Sequence, residues 1–231
     1  MLPIKDTIRS RTFPIITWVL IVVNALIFIF ETRLSRSGLD AFIETFGLVP
    51  AFVDFANPVT WYPFVTHMFL HGGWFHLLSN MWILFIFGDN VEDRLGSGRF
   101  LAFYLLGGIG AGLLQSFISP DPRIPSLGAS GAIAAVLGAY ILFFPHSRVI
   151  TLIPLFFIPW FVEIPAVIYL GIWFVSQLFS GIASLGAAVG EWGGVAWWAH
   201  IGGFVLGLLL AKPFSAGRRP ARWYPDEYYP Y

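Results

Sequence analysis

No cysteine occurs among the 231 residues, which excludes disulfides, thiolate metal sites and a cysteine nucleophile together. Charge is almost as scarce. Asp, Glu, Lys and Arg make up 11% of the chain, against about 25% in a soluble domain. The thirteen basic and thirteen acidic residues balance, so bulk electrostatics points to no nucleic acid or acidic partner. Internal repeats, low-complexity tracts and a Pro-rich interdomain linker are missing as well. In their place stand 57% hydrophobic residues and a mean hydropathy of +0.76. Several apolar stretches approach the roughly 20 residues that cross a bilayer core about 30 Å thick. These features predict an all-α polytopic membrane protein forming a single domain over residues 1–231.

Six spans can be drawn: Phe13–Phe30, Trp74–Phe87 with its upstream lead, Leu101–Phe117, Ser130–Phe144, Ile164–Leu178 and Ala196–Ala211. They define a helical core over about residues 13–212 and a short tail over 213–231. The apolar run Val149–Val162 contains Pro154 and Pro159, which predict a kinked or interfacial approach rather than a seventh span. The first span follows Lys5, Arg9 and Arg11, but no small-residue cleavage site follows it, so it reads as retained. With the N-terminus inside, only Arg33, Arg36 and Arg123 fall outside, and the other ten basic residues fall inside. This positive-inside bias places both termini in the cytoplasm. The second, fourth and sixth helices then run in the same direction.

Polar side chains at membrane depth are costly and mark function by default. They concentrate in HGGWFHLLSN (His71 to Asn80), GASG (Gly128 to Gly131) and AHIGG (Ala199 to Gly203), on those three helices. At about 1.5 Å per residue, Ser130, His200, His76 and Asn80 can share one layer in the middle or outer bilayer. Small residues reinforce this. Ser130, Ala134 and Gly138 share one helix face, and His200, Gly203 and Gly207 share another. Such stripes let helix backbones approach closely, and packing them together brings Ser130 beside His200.

A serine at a helix start can be a cap, or a nucleophile if a neighbouring base takes its proton. His200 is the natural base. No Asp or Glu accompanies it on its helix, so the reading is a Ser-His dyad rather than a triad. The Ser130 backbone N–H falls among the unpaired donors of a first helical turn. His76 and Asn80, at i and i+4, point the same way and can add side-chain donors for a developing oxyanion.

GASG, AHIGG with its following FVLG, and HGGWFHLLSN followed by GDNVEDRLG resemble the rhomboid intramembrane serine proteases, in the family order and over nearly all of Phe13 to Lys212. The resemblance implies Ser130 as nucleophile and His200 as general base. It implies an oxyanion group of His76, Asn80 and the Ser130 N–H, with Gly128, His71 and Gly203 supporting the site. It further implies cleavage of peptide bonds within or next to transmembrane helices, with membrane-protein substrates and lipid as partners and neither metal nor cofactor. Two positions depart from the pattern. Tyr62 and Pro63 stand where many members carry a Trp-Arg pair, four residues before the Thr matching Thr66, and Ala134 stands where some place an aromatic against the histidine. The Gly-rich loop Leu185 to Gly194 reads as a cap over the water entrance or as a tight turn. Trp197 and Trp198 read as anchors at the outer interface.

Three rivals compete. A metal enzyme would use His67, His71 and His76, but HMFLH lacks the Glu of HExxH. A transporter would be expected to show repeated or broken spans. A catalytically silent relative would bind membrane proteins without cutting them. The short six-helix chain without a targeting peptide leads to a plasma-membrane expectation.

Overall fold

The computed structural model describes residues 1–119, 121–155, 158–185 and 195–217. Strand β1 (Leu2–Asp6) precedes helices α1 (Ile15–Glu31), α2 (Arg36–Phe46), the single turn α3 (Pro63–Thr66), α4 (Trp74–Leu95), α5 (Ser97–Ile118) and α6 (Ser130–Phe143). Strands β2 (Arg148–Leu155) and β3 (Ile158–Pro165) follow, and then α7 (Ala166–Ser184) and α8 (Trp197–Ser215).

Local chemistry sets these boundaries. Helix α1 begins after Pro14, and the Glu92 carboxylate accepts the N–H groups of Ile16 and Thr17 at 2.9 and 2.8 Å. A carboxylate there satisfies two orphan donors of the first turn and meets the positive end of the helix dipole. The same carboxylate takes the Ser97 hydroxyl at 2.6 Å, which ties α1 to the α4–α5 corner. Gly96 makes that corner at φ 81°, a left-handed conformation that glycine adopts without steric cost. The loop between α1 and α4 contains α2, which the hydropathy reading did not anticipate. Ser35 caps it, accepting the Gly38 N–H.

The all-α expectation needs correction, because the mostly helical fold also carries a three-stranded antiparallel sheet in the order β1-β2-β3. The run read as a kinked approach over 149–162 instead contributes residues 149–155 to β2 and 158–162 to β3. Pro154 and Pro159 face each other near the tip of this hairpin, where missing N–H donors disturb the ladder least. Val149 and Thr151 turn inward and are fully buried, the two-residue alternation of a half-buried strand. The fifth helix therefore begins at Ala166 rather than at Ile164.

Helix α6 lies at the centre, every residue from Gly131 to Tyr140 being buried. Its contacts with α8 are at backbone distance. A Cβ on Gly203 would sit 2.0 Å from the Gly131 carbonyl oxygen, and one on Gly207 would sit 2.1 Å from that of Ala135. The contact advances four residues on both helices together, so α6 and α8 run parallel. By length and composition α5 and α7 are long and apolar enough to cross a bilayer, while α1 and α6 are shorter apolar helices.

Candidate active site

The small-residue seam brings two distant residues together. Ser130 opens α6 and His200 stands in the first turn of α8, with Ser130 Oγ 2.8 Å from His200 Nε2. The segment before Ser130 is pinned from two sides. Leu48 and Ser126 exchange backbone hydrogen bonds of 3.1 and 2.8 Å, and the Gly128 N–H donates to the His67 carbonyl at 2.9 Å. Gly128 itself has φ +114°, and a Cβ there would lie 2.6 Å from His76 Nε2. Glycine is required on both counts: the conformation disfavours L side chains, and the space belongs to His76.

His76 and Asn80 stand one helical turn apart on α4, across a cavity of about 480 Å³ that also exposes Ser130 and His200. The Gly72 N–H donates to His76 Nδ1 at 3.3 Å. In a neutral imidazole the other nitrogen then carries the hydrogen, which directs Nε2–H toward Gly128 and the start of α6. Asn80 Nδ2 is buried, and among the described residues it has no hydrogen-bond partner. A buried donor left open beside a serine hydroxyl is a ready site for negative charge. A second cavity of about 190 Å³ extends past Ser130 between α4, α6 and α7, lined mainly by apolar groups such as Ile83, Phe87, Leu137 and Trp173.

The supporting residues divide. Gly203 meets the Gly131 carbonyl at the α6–α8 seam. His71 packs its ring 5.0 Å from that of His76, and its backbone N–H donates to Glu31 Oε2 at 3.3 Å. The Tyr62 hydroxyl donates to the Thr45 carbonyl at 2.8 Å, and Thr66 donates to the Phe46 carbonyl at 2.6 Å. The segment before α4 is thus anchored to α2 without a Trp-Arg pair. Ala134 lines the second cavity, and aromatic neighbours of His200 come from elsewhere: Trp173 and Trp197 lie 6.0 and 6.1 Å away between ring centroids. Trp197 therefore contacts the histidine rather than serving only as an interface anchor. Among the described residues no three His, Asp or Glu side chains are grouped to hold a metal. The expected cap at 185–194 lies outside the described residues beyond Leu185.

One neighbour of His200 escaped the sequence reading. Gln177 on α7 places its Oε1 2.8 Å from His200 Nδ1. The chain has two glutamines, and the other, Gln115 on α5, accepts the Ala199 N–H at 3.1 Å. Both hold the first turn of α8. Two lone amides in otherwise apolar spans were the available signal.

Comparison with known proteins gives the family. The rhomboid domain pattern matches residues 58–217, and the chain belongs to the rhomboid family. It is 34% identical over 119 residues to rhomboid-like protein 11, chloroplastic, of Arabidopsis thaliana, covering 52% of this chain and 42% of that protein. It is 32% identical over 145 residues to rhomboid protein 1, mitochondrial, of Saccharomyces cerevisiae, covering 61% and 38%. Over 79 residues it is 44% identical to rhomboid protease GluP of Bacillus subtilis, covering 34% and 15%. The chain thus spans about two fifths or less of the length of these relatives. Membership makes it a membrane protein. The organellar names among its relatives give no support to the plasma-membrane expectation.

Proposed function

We propose that the protein is an intramembrane serine endopeptidase that cleaves within or next to transmembrane helices of membrane-protein substrates. The observation that carries this reading is the 2.8 Å contact between Ser130 Oγ and His200 Nε2, facing two donors across an open cavity. In the proposed reaction His200 Nε2 takes the Ser130 proton as Oγ attacks the scissile carbonyl. The oxyanion is received by Asn80 Nδ2–H, His76 Nε2–H and the Ser130 N–H. The histidine then delivers its proton to the departing amine, and water, activated by the same nitrogen, releases the acyl group.

The finer topology belongs to this proposal. Helices α1, α4, α5, α6, α7 and α8 make six spans, and the bias of basic residues puts both termini on the cytoplasmic side. A substrate helix reaches the site laterally beside α7, whose described side chains Val167, Ile168, Ile172, Val175 and Phe179 are exposed. The test is cleavage of a single-span substrate in proteoliposomes by the purified protein beside Ser130→Ala. Loss of cutting in the variant supports the reading. Equal cutting by both proteins rejects Ser130 as nucleophile, and a catalytically silent, substrate-binding relative is the outcome if neither protein cuts nor reacts with a fluorophosphonate.

A further inference from the structure

We infer that Gln177 is a positioning residue for the base: it fixes the His200 imidazole in the Nδ1–H tautomer, so that Nε2 is free to accept the Ser130 proton. The inference rests on the protease reading for its consequence, but its structural content stands without it.

The orientation of a glutamine amide must be assigned from its partners, and here the partners decide. One end of the Gln177 amide lies 3.2 Å from the Trp173 carbonyl oxygen and 3.0 Å from Ser176 Oγ. A backbone carbonyl can only accept, so that end is the NH₂ group. The other end is therefore Oε1, which can only accept. The nitrogen opposite it, His200 Nδ1 at 2.8 Å, must carry a hydrogen. In the neutral ring Nε2 is then unprotonated, and the Ser130 hydroxyl donates to it across 2.8 Å. A chain of four groups, Trp173 carbonyl to Gln177 to His200 to Ser130, has each proton assigned by one carbonyl at its end.

Packing does not account for this residue. Helix α7 buries only Ala166, Leu170, Gln177 and Gly181 among its described side chains, and the other three are small or aliphatic. Trp173 and Gln177, at i and i+4, share the face turned to His200, with the Trp173 ring 6.0 Å from the imidazole. A buried amide in an apolar helix is costly unless each of its polar atoms is used, and here both are. Being neutral, Gln177 orients the ring without offering a charge to the imidazolium, which separates it from the aspartate of a Ser-His-Asp triad. Among the described residues, the other titratable groups lining the two cavities are His76 on α4 and Tyr169 on α7.

The test pairs a spectroscopic readout with kinetics. In ¹⁵N spectra of histidine-labelled protein in bilayers, the His200 signal, identified by its absence in His200→Ala, is expected to be that of the Nδ1–H tautomer. Gln177→Leu is expected to shift that signal toward a tautomer mixture. It is also expected to lower kcat about 10²-fold with little change in KM, the scale of a misplaced catalytic group. Gln177→Glu keeps the acceptor, so it retains activity near neutral pH. It should also move the acidic limb of the pH–rate profile to higher pH, because a carboxylate stabilises the imidazolium. A wild-type His200 carrying its hydrogen on Nε2 would overturn the inference without any cleavage assay. So would a Gln177→Leu protein with unchanged tautomer, kcat and pH profile. Failure of the protease reading shows separately, as cleavage that survives Ser130→Ala.

Discussion

Single residues around Ser130 are constrained by what stands opposite them. Gly128 is the sharpest case, because its φ of +114° and the His76 ring leave no room for a methyl group. Gly128→Ala is expected to displace His76 and reduce turnover about as strongly as loss of an oxyanion donor, 10²–10³-fold. Under the proposed mechanism Asn80→Ala should fall in the same range with KM little changed, since the group would act on charge that develops only in the transition state. Single-turnover kinetics on a fluorogenic transmembrane substrate measures both. An Asn80→Ala protein with wild-type kcat removes that residue from the proposed oxyanion group. Ser130, His200, His76 and Asn80 were legible in the sequence because a polar side chain in an apolar span is conspicuous. Gln177 was equally conspicuous, but a lone amide does not name its partner; only the approach of α7 to α8 does that.

Among the helices, the α6–α8 seam determines whether the site exists at all. Adding a methyl group at Gly207 would place it 2.1 Å from the Ala135 carbonyl oxygen, so the two backbones would have to part. Gly207→Ala is expected to destabilise the fold by about 1–3 kcal/mol, the usual scale of overpacking. Gly171→Ala on α7, where none of the described residues lies within 4 Å, should be neutral or slightly stabilising. Melting temperatures in the same detergent compare them, and equal shifts would remove the seam from the explanation. This seam was readable from its four-residue spacing of small residues. The β2–β3 hairpin was not. Its run of apolar residues fits a buried helix and a strand alike by periodicity, and its partner strand lies far away in sequence. Helix α2 was missed for a different reason: it is too polar for a hydropathy reading to register.

Across the whole molecule, β1 fastens residues near position 2 to residues near position 152. At its end Asp6 is half-buried, with Oδ2 accepting from the Tyr140 hydroxyl at 2.5 Å and from Asn90 Nδ2 at 2.8 Å. Burial, and secondarily the nearby Asp89, push the Asp6 carboxyl up to about 8 from its ordinary 3.8, against the opposing hydrogen bond from Tyr140. The folded protein therefore binds this proton more tightly than the unfolded chain does. The stability linked to it is complete below the ordinary value and is lost as pH rises through about 8. Asp6→Asn keeps an acceptor and should flatten that decline, as melting temperatures at about pH 5 and about pH 9 would show. A wild-type profile already flat across this window rejects the account. The same strand also orders events during synthesis, when earlier segments emerge first. Residues 2–6 leave the ribosome long before β2 exists, so Asp6 begins as an ordinary hydrated carboxylate while α1, α4 and α5 are still being laid down. It can meet Tyr140 only after α6 is made, and β1 can pair only after β2 is made. Pairing of β1 is thus a later step, which reports at residues 2–6 on the formation of a strand near residue 150.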